Sequence, residues 1–194
     1  IVRPHPGRHS LSQTLSITSA LKTLGVADTT RDVRKALVIN KVLVDGKRIN
    51  SYRAPVGLYD RLTVNDTHHR IILDDHGRLI ITPSTNEVKP ARIQGKHSIT
   101  GGKTQLTFSD GRTIITDKKV TVGSTALYNP QKPSEFKEVT LSEGTGVLLI
   151  KGKHAGLRGT FTGFKGTLVE VKTNNETLLT TKQNAFALPE DYTP

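Results

Sequence analysis

The chain has 194 residues and contains no cysteine. This absence excludes disulfide bonds, thiolate catalysis and cysteine-ligated zinc, and it fits a reducing cytoplasm. The chain also lacks methionine, so we expect sequence to be missing before Ile1. No apolar run approaches the roughly 18 residues that a membrane-spanning helix needs. Ile1–Pro4 leads straight into polar sequence rich in proline and glycine, unlike a signal peptide.

Acidic residues are scarce beside basic ones. The chain has 28 lysines and arginines against 17 acids, a net charge of +11 and a pI near 10. The net charge falls from +6 over residues 1–60 to +4 over 61–140 and +1 over 141–194. Such a balance predicts a polyanionic partner, with a merely soluble basic protein as the alternative. The N-terminal third is the expected anchor.

The first 24 residues predict an extended arm followed by a helix. Residues 1–9 are basic, and their prolines and glycine prevent a helix. Ser10 and Gln13 form a capping box, and the leucines within residues 11–24 predict an amphipathic helix that Gly25 ends.

The most informative stretch comprises residues 29–50. Thr29 and Asp32 form an approximate capping box, and a cationic helix with one apolar stripe is expected to follow. The stripe consists of Val33, Ala36 and Leu37. Asn40 is expected to take the left-handed conformation that ends many helices. Asp45-Gly46 then predicts a tight turn in a β-hairpin.

The rest of the chain predicts short strands. Pro55–Gly57 is expected to be a turn, and residues 71–81 a hairpin whose loop is 74–77. Residues 105–115 predict another hairpin, and the polar segment 129–138 an exposed connection.

The last segment predicts a small, strongly bent barrel. Apolar strands are expected at 147–150, 160–164, 167–172 and 177–181, with a turn at Asn174-Asn175. Gly152, Gly156 and Gly159 occupy the loop after the first strand, where positive φ and close backbone approach admit glycine.

No constellation of residues predicts catalysis or metal binding. None of the seven histidines has a carboxylate or a second histidine three or four positions away on a predicted helix. Asp74-Asp75 is better explained as turn chemistry than as a catalytic pair. We therefore expect no catalytic residue, no metal site and no cofactor.

Two motifs resemble RNA-binding elements. The helix before Val42–Gly46, a V-x-V-D-G run, resembles the S4 RNA-binding motif of ribosomal and tRNA-handling proteins, although Gly57–Leu62 departs from its usual later turn. The G-x-x-x-G-x-x-G spacing after Val147 resembles the KOW motif. A solvated helix face and a barrel corner are the structural alternatives.

With RPHPG at 3–7, PVGLYD at 55–60 and ITGGKTQLTFSDGRTI at 99–114, the chain is similar to the archaeal and eukaryotic small-subunit ribosomal proteins of the S4e family. The resemblance runs from Arg3 to about Leu188. It implies a mainly β protein with a small α+β N-terminal module. The expected divisions are a basic segment 1–9, an S4-like αα-hairpin and short sheet at 10–65, a central β domain at 66–140 and a small KOW-type β-barrel at 141–194.

The resemblance implies a structural constituent of the small ribosomal subunit that binds rRNA. The candidate RNA-binding residues are Arg3, Arg8, Arg31, Arg34, Lys35, Lys41, Lys47, Arg48, Arg53, Lys151, Lys153, His154 and Arg158. The N-terminal segment is expected to thread along RNA and to order on binding. Neighbouring ribosomal proteins are further expected partners, the chain is expected to be a monomer outside the ribosome, and neither membrane nor small-molecule substrate is expected.

Two rival hypotheses come from other classes of protein. Pseudouridine synthases carry an S4 motif and a G-R-L-D active-site run, but here Gly77–Leu79 is followed by Ile80. A KOW-type transcription or translation factor that binds protein is the second rival. The concentration of charge outside the KOW segment argues against it.

Overall fold

A computed structural model describes residues 2–39, 41–173, 176–189 and 192. The chain forms two compact units. The first comprises residues up to Ile72 together with Leu79–Lys89, and the second comprises Leu73–Arg78 and the chain from Pro90 onward. No helix within the described residues is long and apolar enough to cross a membrane.

The predicted helix over residues 10–24 is wrong in its first half. A 3-10 helix covers Leu11–Gln13, strand β1 covers Thr14–Ser16, and helix α1 extends only over Ile17–Thr23. Ser10 makes no capping bond, whereas Ser16 Oγ accepts from Ser19 N at 3.2 Å and so begins the helix. The preceding residues are extended because β1 pairs with a distant strand.

Helix α2, Thr30–Ile39, confirms the second predicted helix. Its predicted apolar stripe is buried. The predicted left-handed cap at Asn40 lies outside the described residues.

Five antiparallel strands form the sheet of the first unit in the order β3-β2-β5-β6-β7. They are β2 Val42–Val44, β3 Lys47–Arg48, β5 Arg61–Val64, β6 Thr67–Leu73 and β7 Leu79–Pro83. The two hairpins predicted here are confirmed, with the second loop extending over 74–78. Because β5 and β6 are paired, the expected boundary at 65/66 passes between neighbouring strands of one sheet.

Residues Pro55–Gly57 form strand β4 rather than the predicted turn. Leu15 of β1 is opposite Val56 in this two-stranded ladder. Pairing partners some 40 residues apart leave no local signal, which explains both this error and the shortened first helix.

The central sheet lies in the second unit and has the order β10-β9-β8-β11-β12. Its strands are β8 Lys89–Ser98, β9 Thr104–Phe108, β10 Thr113–Thr116, β11 Thr125–Asn129 and β12 Lys132–Val139. The segment predicted as an exposed connection is therefore largely edge strand β12. An edge position tolerates Pro133, and Phe136 is buried against the ring of Phe108.

The C-terminal sheet has the order β16-β15-β14-β13-β17. Its strands are β13 Gly146–Leu149, β14 Arg158–Lys165, β15 Leu168–Lys172, β16 Thr177–Thr181 and β17 Ala185–Leu188. The sequence predicted all of these except β17, while the turn predicted at Asn174-Asn175 lies outside the described residues. The mainly β fold class with a small α+β N-terminal module is confirmed.

Candidate nucleic-acid interface

The cationic face of α2 is built on a capping box. Thr29 Oγ1 donates to Asp32 Oδ2 at 2.6 Å, and Asp32 N donates to Thr29 Oγ1 at 3.2 Å. The hydrogen bonds from Thr29 lower the pKa of Asp32, so this carboxylate stays ionised at the positive end of the helix. With the apolar stripe buried, Arg31, Arg34 and Lys35 are exposed.

One of these arginines also has a contact within the fold. The Arg34 guanidinium carbon lies 4.3 Å from the centre of the Tyr52 ring, within range of a cation–π interaction. The contact restrains the side chain at the surface and leaves its hydrogen-bond donors open to a further partner.

The hairpin β2–β3 lies beside the end of α2. Asp45 and Gly46 have φ values of 50° and 79°, which suit the tight hairpin turn predicted from their sequence. Arg48 Nη2 donates to the carbonyl oxygen of Val38 at 3.5 Å. Lys41, Lys47 and Arg48 are exposed, so the cations of the helix and the hairpin belong to one unit.

The N-terminal segment packs along residues 53–57 instead of extending away as an arm. His5 N donates to Arg53 O at 2.9 Å, and Arg53 Nε donates to Arg3 O at 3.1 Å. Gly7 faces Pro55 so closely that a Cβ atom there would lie 2.3 Å from Pro55 Cγ. Arg3 and Arg8 are exposed, while Arg53 is half-buried beneath the segment.

A buried ion cluster, which the sequence did not predict, lies in the same unit. The Lys89 ammonium is 2.9 Å from Asp45 Oδ2 and also contacts Asp60 Oδ1, and all three side chains are at most 5% exposed. His9 Nε2 lies 3.0 Å from both carboxylate oxygens of Asp60.

The ion cluster joins four parts of the first unit. They are the N-terminal segment, the β2–β3 turn, the residue before β5 and the first residue of β8, represented by His9, Asp45, Asp60 and Lys89. Asp45 Oδ1 accepts from Arg61 N at 3.0 Å, and Asp60 Oδ2 accepts from Gly57 N at 2.8 Å. Burial alone would raise the pKa of Asp60, but Lys89 and then His9 lower it below its ordinary value. Asp60 therefore stays ionised, and the cluster fixes the hairpin turn that presents Lys47 and Arg48.

Arg70 is another cation that the sequence alone does not place. It is fully buried, with Nη1 donating to Tyr59 O at 3.1 Å and Nη2 donating to Asn86 O. Neither Arg70 nor Lys89 can reach RNA, so part of the charge of this unit supports its interior.

The second predicted group of cations lies in residues 150–158, the loop after β13 and the first residue of β14, which we name the KOW loop after the motif that it resembles. Lys151, Lys153 and Arg158 are exposed and His154 is half-buried. Gly152 and Gly156 have φ values of 88° and 95°. A Cβ atom at Gly159 would lie 2.6 Å from the backbone oxygen of Lys172. Of the predicted requirements, Gly152 meets positive φ, Gly159 meets close backbone approach, and only Gly156 meets both.

The KOW loop packs against the 74–78 turn within the second unit. A Cβ atom at Gly156 would lie 1.9 Å from the backbone oxygen of Asp74. The turn itself is fixed, because Asp74 Oδ1 accepts from Arg78 N at 2.7 Å and from His76 N at 3.0 Å. The sequence predicted the glycine but gave no signal for its neighbour.

We expect Gly156→Ala to destabilise the second unit far more than Gly152→Ala. Both substitutions place a side chain at positive φ, at a cost on the order of 1 kcal/mol. Only Gly156 also meets backbone, because the nearest atom to a Cβ at Gly152 is Asn184 Nδ2 at 3.6 Å. Urea unfolding should show that Gly156→Ala lowers the free energy of unfolding by about 2–3 kcal/mol more than Gly152→Ala does. Equal losses would mean that the loop moves away from Asp74 without cost.

Among the described residues, no group of three or more histidines, cysteines and acids could hold a metal ion.

The thirteen predicted contact residues fall into two basic groups. Nine lie in the first unit around α2, the hairpin and the N-terminal segment, and four lie in the KOW loop.

Comparison with known proteins identifies the class. A family model described as "Ribosomal family S4e" matches residues 65–132. The small ribosomal subunit protein eS4 of Nanoarchaeum equitans is 32% identical over 204 residues, covering 99% of this chain and 87% of that protein. The eS4 protein of Methanocella arvoryzae is 31% identical over 197 residues, covering 99% and 83%.

A solved structure shows the same fold. The crystal structure of the 30S ribosomal protein S4e from Thermoplasma acidophilum matches with a TM-score of 0.78 at 24% identity, covering 92% of this chain and 96% of that one. Fold and sequence together define a protein of the ribosomal class rather than an enzyme. The chain belongs to the S4e family, whose archaeal members are the small ribosomal subunit proteins eS4.

Proposed function

We propose that this chain is a structural constituent of the small ribosomal subunit that binds rRNA chiefly through the helix–hairpin face, which we define as Arg31, Arg34, Lys35, Lys41, Lys47 and Arg48. One observation carries the proposal. In the described part of the chain, none of these six exposed cations forms an ion pair. Cations that lack acidic partners within their own fold are available to phosphates.

The chemistry of this face suits a folded RNA. Arginine and lysine contacts to phosphate oxygens fix register and orientation, and double-stranded RNA is recognised mostly through shape and backbone. The face is rigid because α2 is capped and the ion cluster fixes the hairpin turn. Arg3, Arg8 and Arg53 extend the basic surface of the same unit.

The KOW loop supplies a second attachment through Lys151, Lys153, His154 and Arg158. Two linked attachments raise affinity through effective concentration without any new contact. We infer that the S4-like, central and KOW-type segments act as three functional modules, and that residues 67–83 belong to the S4-like module because β6 and β7 extend its sheet. We infer that the chain is a cytoplasmic monomer outside the ribosome. Within the ribosome, we infer that it contacts neighbouring ribosomal proteins.

A salt titration tests the proposed function. The full chain should bind deproteinised small-subunit rRNA, and neutralising about 6–10 phosphates should lower its affinity by about 10³–10⁵ between 50 and 200 mM salt. Large-subunit rRNA serves as the control for non-specific binding. Affinity that is independent of salt, or equal for the two RNAs, would contradict the proposal.

A further inference from the structure

Two cations of the second unit converge on one point, and neither belongs to the groups described above. Arg92 lies on β8, and Lys182 lies in the turn between β16 and β17. A Cβ atom at Gly123 would lie 3.5 Å from Arg92 Nη2 and 3.6 Å from Lys182 Nζ. The two nitrogen atoms are therefore separated by no more than the sum of these distances.

The fold fixes the direction of the Arg92 guanidinium. Its Nη1 donates to the carbonyl oxygen of Gln183 at 2.9 Å, and its backbone N donates to Ser109 Oγ at 3.0 Å. The side chain is half-buried, and this burial lowers the pKa of Arg92. The arginine is thus directed toward Gly123 with Nη2 facing the same point as the lysine.

Neither Arg92 nor Lys182 forms an ion pair within the ranges that the structure describes. Glu138 contacts the loop that contains Gly123, but its Oε1 accepts from Thr121 N at 2.9 Å and from Ser124 Oγ at 2.6 Å. Two like charges held close together, one of them partly desolvated, favour an anion between them.

We propose that Arg92 and Lys182 form a phosphate site, and that its occupant is a backbone phosphate of rRNA. A phosphate can accept one charge-assisted hydrogen bond of about 2.8 Å from each cation. A Cβ atom at Gly123 would lie 3.2 Å from Lys182 Cε, so glycine avoids crowding the lysine side chain here. Gly123 has a φ of 96°, so its backbone also favours glycine. The inference rests on the proposed function and adds a third attachment, formed by β8 of the central sheet and the β16–β17 turn of the C-terminal sheet.

The test compares Arg92→Gln plus Lys182→Gln with the parent chain in rRNA binding across a range of salt. Loss of one neutralised phosphate should reduce the slope of log affinity against log salt by about 0.7–0.9 and weaken binding on the order of 10-fold at low salt. The exchange variant Arg92→Lys plus Lys182→Arg keeps both charges and should retain most of the slope. Lys132→Gln plus Lys165→Gln removes the same charge from exposed positions elsewhere in this unit.

The outcomes separate this site from the proposed function. If the parent chain binds rRNA and the Gln variant keeps its slope, the phosphate site is wrong and the proposed function stands. An equal slope change in the Lys132 and Lys165 control would also overturn the site, since the effect would be general. If rRNA binding is unchanged but incorporation into reconstituted subunits is lost, the occupant is an acidic protein group. A parent chain that ignores rRNA overturns both proposals.

Discussion

Replacing Arg31 and Arg34 by glutamate should abolish rRNA binding by the full chain, with affinity falling by about 100-fold or more at 100 mM salt. The double change turns two cations of the helix–hairpin face into anions that repel phosphates, and it reduces the slope against log salt by about 2. Electrophoretic mobility shift with small-subunit rRNA measures the loss.

The fold should survive this change. Both arginines are exposed, and Arg34 contacts the Tyr52 ring. Loss of this contact costs about 0.5–1 kcal/mol at an exposed site. The circular-dichroism spectrum should be unchanged. As a control, Lys132→Glu plus Lys165→Glu changes the net charge by the same amount at two exposed positions of the second unit. This control should weaken rRNA binding much less. An unfolded double mutant would show instead that the two arginines are structural.

Replacing Lys89 by methionine should destabilise the first unit by about 3–5 kcal/mol. The substitution leaves the carboxylates of Asp45 and Asp60 buried without the ammonium that lies between them. Urea unfolding monitored by tyrosine fluorescence, with Tyr52 and Tyr59 in this unit, measures the change.

A compensated variant separates charge from packing. Lys89→Met together with Asp45→Asn and Asp60→Asn removes the uncompensated charges while keeping side-chain acceptors for Arg61 N and Gly57 N. It should recover most of the lost stability, because replacing a whole buried ion cluster costs little compared with breaking it. A single Met variant as stable as the parent chain would show that the ion cluster does not hold the unit together.

The elements that the sequence predicted are those with local causes. Helix α2 has a capping box and an apolar stripe within ten residues, and the β2–β3 hairpin has its turn at Asp45-Gly46. In each case the deciding interactions join residues only a few positions apart, so propensity and pattern suffice.

The elements that it did not predict depend on partners far along the chain. The residues around Lys89 give no sign that it is buried, because its carboxylate partners are 44 and 29 positions away. Strands β1 and β4 similarly form because they pair with each other. Long-range pairing of this kind overrides local propensity.

The candidate site was predictable to a similar extent. All six cations of the helix–hairpin face are exposed as expected, since they flank a buried stripe or follow a tight turn. The convergence of Arg92 with Lys182 could not be predicted, because 90 positions separate the two residues and only the packing near Gly123 brings them together.

Directed hydroxyl-radical probing tests most directly whether the helix–hairpin face contacts rRNA. Because the chain has no cysteine, a single Val38→Cys substitution provides a unique attachment point for an iron chelate at a side chain that is 76% exposed at the end of α2. Ile115→Cys, 55% exposed in the second unit, provides the comparison. In the bound complex, the Val38 probe should cleave small-subunit rRNA strongly at one compact set of nucleotides, distinct from any cut made from Ile115. Bound protein that produces no cleavage from the Val38 position would contradict the account.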